Sequence, residues 1–300
     1  MSDASPPPRE PAPSGPPLRY GLQYLWPSEI AEQFYCEYKV HLHRLHPEVR
    51  LEMAPLERGE ASHAALAGQA EPVTAAQIEE AIQAGKQLAL CEWVLEGTFA
   101  GVRIRGRPDV FAFAGKTARL VLDFKFSAGQ RPFRDQAVQA ETYAVLAASV
   151  GFAADELCFG IVLFPTSGLT GREAARAKED MLRMLNEQGA LARVYERCEQ
   201  ARQQLLRGQM VSIAVAGVGW KAFLYRYDPA RAARNLRWAL DFWLGERGPL
   251  PVGELPWDRW PRKCFACPFN AAGLCEYALQ APDPAFTVQR RPDGNVFVFR

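Results

Sequence analysis

Residues 106–109 read Gly-Arg-Pro-Asp and residues 119–126 read Arg-Leu-Val-Leu-Asp-Phe-Lys-Phe, and these two segments decide the fold. They lie within residues 92–126, where apolar and polar side chains alternate with a period of two and turns such as Ala114-Gly115-Lys116 interrupt the pattern. That alternation predicts a meander of three or four strands. The second segment is its last strand, one hairpin away from the acid that ends the first segment.

Two carboxylates and an ammonium group come together in this meander. Pairing around the turn brings Asp109 and Asp123 to a common edge, and the period of two places Lys125 on the same face as Asp123. Two carboxylates on rigid strands suit Mg²⁺, and an ammonium beside them can orient a water molecule and offset charge on a phosphate. The alternative is that Asp109 belongs to a Pro-Asp turn and that Asp123 and Lys125 form an ordinary surface ion pair.

The segments around the meander follow an α/β order. Residues 157–164 form an apolar run that ends at Pro165, which is typical of a strand buried on both faces. Amphipathic patterns predict helices on either side, over residues 26–44, from about residue 56, and over about 75–90, 134–149, 172–208 and 228–245. The last segment, residues 287–300, alternates around Pro-Asp-Gly-Asn and predicts a terminal hairpin.

The helix predicted over residues 134–149 carries two polar side chains on one face. Gln139 and Tyr143 are four residues apart, and their face turns toward the sheet if the alanines of the helix pack there. Placed after the acids, they could hold a phosphate or Lys125; the alternative is ordinary core or surface packing. Upstream, His63 is a lone helical histidine, a residue that is more often structural than a ligand.

These residues, in this order, carry a resemblance to a nuclease family. The succession Gly59-x-x-x-His63, Gly106-Arg-Pro-Asp109, Asp123-Phe-Lys125 and Gln139-x-x-x-Tyr143 resembles the PD-(D/E)XK nucleases of the RecB-like branch. The resemblance implies a restriction-endonuclease-like α/β core, with a mixed sheet flanked by helices and with helical additions. Many members have Glu where this chain has Asp123, a shorter side chain that could alter metal preference.

The resemblance also implies roles for the residues. His63, Asp109, Asp123 and the carbonyl of Phe124 would bind one or two Mg²⁺ or Mn²⁺ ions, and Lys125 would serve the hydrolytic water. Gln139 and Tyr143 would contact DNA or brace the site. A helicase motor is excluded, because the glycine that a phosphate-binding loop needs before Gly115-Lys116-Thr117 is replaced by Val110.

The seven cysteines fall into two groups. An odd count without an export signal argues against a disulfide framework. Three of them lie in apolar periodic segments and are expected in the core: Cys91, Cys158 and Cys198. The other four could close a Cys₄ site for zinc or a [4Fe-4S] cluster, although a C-x-x-C alone is also compatible with half a zinc ribbon or a redox pair; they are Cys36, Cys264, Cys267 and Cys275.

One cysteine before the core and three after it resemble the iron-sulfur nucleases typified by CRISPR-associated protein four and by the nuclease domain of AddB. That resemblance implies an exonuclease on single-stranded DNA ends whose [4Fe-4S] cluster clamps the first and last helices together. It also implies a role in CRISPR spacer acquisition, with the CRISPR integrase complex as a partner, or in repair. A nuclease-like scaffold with weak or lost cleavage, and a nuclease acting on RNA, remain as alternatives.

Composition limits the class of protein. At a net charge of +1 over 300 residues, DNA binding cannot rest on bulk charge and needs a local basic face. The candidates for phosphate contacts are Arg131, Arg134, Arg262 and Lys263. The sequence shows neither an apolar run of membrane-spanning length nor a signal-peptide pattern, which predicts a soluble, cytoplasmic protein.

The same patterns predict three successive parts of the chain. Residues 1–18 are rich in Pro and Ser and are expected to form a disordered tail. Residues 19–285 are expected to form a single nuclease domain, and residues 286–300 a terminal hairpin. Within the domain the predicted regions are a core over about 56–165, helical additions over about 170–250, and an iron-sulfur segment over about 257–280 joined to the Cys36 helix.

Overall fold

The computed structural model describes residues 15–52, 73–127, 131–165, 190–207, 212–214, 221–257 and 259–299. The helices in these ranges are α1 (Pro27–Leu45), α2 (Ala75–Gln83), α3 (Arg134–Ser149), α4 (Ala190–Leu206), α5 (Pro229–Trp243), α6 (Arg262–Phe265) and α7 (Pro268–Ala271). The strands are β1 (Val49–Glu52), β2 (Gln87–Cys91), β3 (Leu95–Phe99), β4 (Val102–Gly106), β5 (Val110–Ala114), β6 (Thr117–Ser127), β7 (Cys158–Pro165), β8 (Ser212–Ala214), β9 (Lys221–Arg226), β10 (Thr287–Arg290) and β11 (Val296–Phe299). Within these ranges, no helix is long and apolar enough to cross a membrane.

A mixed six-stranded sheet organises the fold, with the strand order β2-β5-β6-β7-β9-β8. Strands β6 and β7 pair in parallel, whereas the other neighbours pair antiparallel. Parallel neighbours need a crossover connection, and α3 supplies it. Strands β3 and β4 form a separate two-stranded sheet, and β1, β11 and β10 form a three-stranded one. The predicted α/β class, with a mixed sheet flanked by helices, is confirmed.

Both faces of the large sheet are covered, because side chains along β6 alternate between two apolar clusters. Val121 packs into the cluster that contains α3 and α5. Leu122 and Phe124 pack into the opposite cluster with Val194 of α4. The same alternation turns Asp123 and Lys125 toward α3, which places the polar end of β6 beneath the helix that carries Gln139 and Tyr143.

Several boundaries differ from the sequence expectation. The helix predicted over residues 75–90 ends at Gln83, because Gly85 turns the chain with a φ of +67° and the next residues form β2 against β5. The predicted meander also divides, since β3 and β4 leave the main sheet. Helix α3 and the terminal hairpin β10–β11 lie where they were predicted. Leu18, assigned to the tail, is buried, and the segment with His63 lies outside the described residues.

Helix α1 runs where a helix was expected but is interrupted at Cys36. This residue has an extended backbone, with φ −166° and ψ 110°. The N–H of Tyr38 donates to the carbonyl of Leu250, 3.0 Å away, instead of to a preceding turn of its own helix. The interruption lets the second half of α1 leave the line of the first half, so that Cys36 meets the C-terminal cysteines described below.

Gly106, at the end of β4, lies where α3 and the start of α1 approach the strand closely. A Cβ atom there would lie 2.7 Å from Tyr143 Cε1 and 2.7 Å from Pro27 Cγ. We therefore expect Gly106→Ala to lower the free energy of unfolding by about 1–3 kcal/mol through overpacking, measured by urea unfolding. Gly248→Ala is the matched control, since its Cβ would meet nothing within 4 Å. Equal stability of the two variants would contradict the assignment of strain to the Tyr143 contact.

Candidate functional site

Asp109 lies in the short connection that carries the chain from the small sheet into β5. Strands β5 and β6 pair with Val110 opposite Leu122, so the next positions outward are Asp109 and Asp123. The carboxylate of Asp109 accepts a hydrogen bond from the backbone N–H of Phe124. The two acids thus occupy the shared edge that the hairpin predicted.

Lys125 links the acids to α3. Its Nζ lies 2.9 Å from Asp123 Oδ2, and it also donates a hydrogen bond of 2.9 Å to Gln139 Oε1. The amide Nε2 of Gln139 donates in turn to the hydroxyl of Tyr143 at 3.2 Å. Asp123 and Tyr143 are buried, and the Lys125 side chain retains 22% exposure. The structure therefore connects four of the sequence-predicted residues in one chain of contacts.

Burial and nearby charges determine the protonation states of Lys125 and Tyr143. Burial alone would lower the pKa of Lys125, but the carboxylates of Asp123, Asp109 and Asp135 raise it above its ordinary value. Burial, followed by the charge of Asp123, raises the pKa of the Tyr143 phenol. At neutral pH Lys125 is thus a charged donor and Tyr143 a neutral phenol, so neither can accept a proton as a general base in this state.

A divalent ion would use the edge that the two acids share. Among the described residues, no three His, Cys, Asp or Glu side chains are grouped closely enough to hold a metal ion by themselves. Mg²⁺ does not require such a cage, because it commonly binds one or two carboxylates and completes its shell with water and substrate phosphate. The Asp109–Asp123 pair fits that requirement. The ligand role of His63 stays a prediction.

The four cysteines set apart by spacing line one pocket, which we call the cysteine pocket. This pocket is partly open to solvent. Cys36 enters from the interruption of α1, and Cys264 comes from α6. Cys267 precedes α7, and Cys275 follows it. Segments from the two ends of the chain therefore meet at four thiols.

Backbone N–H groups point at each of the four sulfur atoms. Leu279 N lies 3.4 Å from Cys264 Sγ. Burial raises the pKa of the Cys36, Cys267 and Cys275 thiols, that of Cys36 to about 12, and hydrogen bonds from backbone N–H groups reduce this rise without cancelling it. Such donors stabilise thiolates, and hydrogen bonds to sulfur are a common device of iron-sulfur sites. Four thiols with such donors suit a cluster by their chemistry, but among the described residues no three of them are placed to hold a metal ion together. A Cys₄-bound group therefore stays a prediction.

Two lysines also line the cysteine pocket; the sequence pattern did not single out Lys39, and it suggested Lys263 only as a DNA contact. Lys39 and Lys263 lie over the ring of Tyr35, with Nζ 5.5 Å and 5.1 Å from its centroid. Lys39 also pairs with Glu32 at 2.5 Å. Burial lowers the pKa of Lys39, but Glu32 raises it above its ordinary value. These ammonium groups would offset the negative charge of four thiolates. Both lie near a cysteine in sequence, Lys39 three residues after Cys36 and Lys263 directly before Cys264.

Asp135 lies between the two sites. It is half-buried in the first turn of α3, and burial raises its pKa, while the charges of Lys125, Lys263 and Lys39 act against that rise. The carboxylate is therefore within electrostatic reach of both Lys125 and the lysines of the cysteine pocket. An acid in the first turn of a helix is so common that the sequence offered no reason to select it.

The predicted DNA contacts lie in different environments. Arg131, Arg134 and Arg262 are exposed, whereas Lys263 is buried beside the cysteine pocket. The guanidinium of Arg134 is 4.6 Å from the centroid of the Trp257 ring and donates to Asn235 Oδ1 at 3.3 Å. Phosphate contact stays a prediction for all four residues, and the three exposed arginines are more accessible to a strand than Lys263.

The remaining cysteines lie among apolar side chains. Cys158 and Cys198 are buried in the cluster between the sheet and α4, and Cys91 packs against the same cluster while partly exposed. Burial raises the pKa of the Cys198 thiol to about 12, which leaves it protonated and unreactive at neutral pH.

Comparisons with known proteins add little to this geometry. No family model matches the chain, and no curated protein matches it. One similar solved structure is described as "Crystal structure of SSO0001"; it is 14% identical, the match covers 86% of this chain and 87% of that chain, and the TM-score is 0.41. A likeness this distant says nothing about function.

Proposed function

We propose that this protein is a metal-dependent DNA nuclease of the RecB-like PD-(D/E)XK type that acts on single-stranded DNA ends. One observation carries the proposal: the ammonium of Lys125 lies between the carboxylate of Asp123 and the amide of Gln139, with Asp109 across the strand pair. An acid pair and a fixed cation at one sheet edge suit phosphodiester hydrolysis. The linear order of these residues matches the family pattern given above.

The proposed roles of the site residues follow from their charges. Asp109 and Asp123, with the carbonyl of Phe124 and with His63, would hold Mg²⁺ or Mn²⁺, which supplies a Lewis acid for phosphate oxygens and a lowered pKa for bound water. Lys125 is protonated, so it donates hydrogen bonds to the attacking water or to a phosphate oxygen and offsets the negative charge that develops there. Gln139 holds the ammonium in place, and Tyr143 holds Gln139.

A [4Fe-4S] cluster in the cysteine pocket is part of the proposal, with zinc as the alternative occupant. It would be bound by Cys36, Cys264, Cys267 and Cys275 and would join α1 to the C-terminal segment. Its role would be structural, because it fixes segments that are far apart in sequence. DNA-end processing in CRISPR spacer acquisition or in repair, and an integrase partner, follow from the family resemblance alone.

Digestion of end-labelled single strands tests the proposal. We expect the protein to shorten single-stranded DNA when Mg²⁺ or Mn²⁺ is added, and EDTA to stop the reaction, because the two acids cannot activate water without the ion. An RNA strand of the same sequence is the parallel substrate. Degradation of RNA alone would change the substrate class, whereas DNA binding without shortening under either metal would refute the nuclease and favour a scaffold role.

A further inference from the structure

Two exposed aromatic rings meet where α3 begins. Phe133, the residue before α3, is 39% exposed, and Trp260, just before α6, is 44% exposed. Their ring centroids are 6.4 Å apart with an interplanar angle of 30°. We call these two residues the aromatic pair. Large apolar rings are usually buried, so two neighbouring exposed rings mark a candidate binding surface.

Each residue of the aromatic pair is close in sequence to one of the two sites described above. Phe133 is two residues before Asp135, whose charge acts on Lys125. Trp260 is three residues before Lys263, which lines the cysteine pocket. A strand that stacks on both rings therefore lies close to the start of α3, which carries Asp135, and to the segment that carries Lys263.

Exposed arginines accompany the pair in both segments. Arg131 precedes Phe133 by two residues, and Arg259 and Arg262 flank Trp260; all three are exposed. Aromatic rings beside cations form the usual surface for single-stranded nucleic acid, because bases stack on the rings and phosphates meet the cations. An interface for a protein partner would bury apolar surface and would not require these positive charges around the rings.

We propose that the aromatic pair is a stacking platform for unpaired bases of a DNA strand that approaches the catalytic edge, with Arg131 and Arg262 meeting its phosphates. The proposal rests on the proposed nuclease function and specifies how its substrate is recognised. Because every base has a π-face, the platform favours single strands over duplexes and is tolerant of sequence. In duplex DNA the base faces are already stacked on one another, so only the terminal base pairs can stack on the aromatic pair.

Base stacking can be separated from phosphate contact with two probes. One is a fluorescent oligothymidylate, and the other is the same backbone with abasic residues; both are titrated by anisotropy in EDTA, so that no strand is cut. We expect the wild-type protein to prefer the oligothymidylate. Phe133→Ala and Trp260→Ala should each weaken oligothymidylate binding roughly 5- to 100-fold and leave abasic binding unchanged. Trp260→Phe should keep the preference, since it retains a ring.

A second aromatic pair supplies the control. Phe297 and Phe299 on β11 have ring centroids 6.3 Å apart, and Phe297→Ala should not change the preference. The proposal is overturned if the wild type binds both probes equally, if the alanine variants keep the preference, or if they lose both probes to the same extent. If the alanine variants keep the preference for oligothymidylate but lose binding to a protein partner, the aromatic pair is a protein-docking surface instead. If the wild type prefers the oligothymidylate but does not cut DNA with Mg²⁺ or Mn²⁺, the nuclease proposal is refuted and the stacking-platform proposal is retained.

Discussion

Lys125→Ala is expected to reduce metal-dependent strand digestion by about 10²- to 10³-fold or more, the cost of removing one fixed group that stabilises developing charge. The reason lies in the contacts of its ammonium, which is 2.9 Å from Asp123 and 2.9 Å from Gln139 and stays protonated because nearby carboxylates raise its pKa. Alanine removes that charge from the sheet edge without touching the apolar faces of β6. Single-turnover digestion of an end-labelled strand measures the loss.

Two further variants show whether the loss belongs to this site. Lys86→Ala is the matched control, because Lys86 also pairs with an acid, Glu80 at 2.9 Å, but on the exposed surface; digestion should be unchanged. Gln139→Ala should cause a smaller loss than Lys125→Ala, since the lysine keeps its contact with Asp123. Melting curves check that all variants are folded. Full activity of folded Lys125→Ala would overturn the assignment.

Cys267→Ala is expected to have the largest effect on stability. Protein purified without oxygen should be brown and contain iron and sulfide, and the variant should lose both. Loss of a structural metal group belongs to the class of changes that cost more than about 4 kcal/mol, because the group binds only the folded state. Iron and sulfide analysis together with thermal unfolding measures the two effects.

Cys198→Ala is the control for removing a buried thiol. Cys198 belongs to α4 and packs against the large sheet, away from the cysteine pocket, so its replacement should leave the iron content unchanged and cost about 1 kcal/mol. One zinc ion per chain in the wild type would refute the cluster and leave the nuclease proposal intact. Retention of iron by Cys267→Ala would refute the ligand role of that cysteine.

Local sequence determined the elements whose stability depends on near neighbours. The alternation in residues 119–126 predicted β6, and the amphipathic pattern of residues 134–149 predicted α3 with its bounds. The period of two also placed Asp123 and Lys125 on one face, and the hairpin placed Asp109 opposite them. Those relations depend only on backbone geometry, so a single sequence was enough.

The structure decided what depends on residues far apart in sequence. Residues 87–91 carry a helix-compatible pattern, yet they form a strand because β5 offers an unpaired edge. Gly106 is needed because the Tyr143 ring lies against it, a contact that no local pattern reveals.

The cysteine pocket shows the same division between sequence and structure. Spacing grouped three cysteines and marked Cys36 as a distant fourth, but only packing interrupts α1 at Cys36 and turns Lys39 and Lys263 into the pocket with it. Asp135 likewise acquires its position between the two sites when α3 docks on the sheet. Sequence by itself determined which chemical groups this protein carries and their order, and tertiary structure determined which of them share a buried space, where charges and close contacts act.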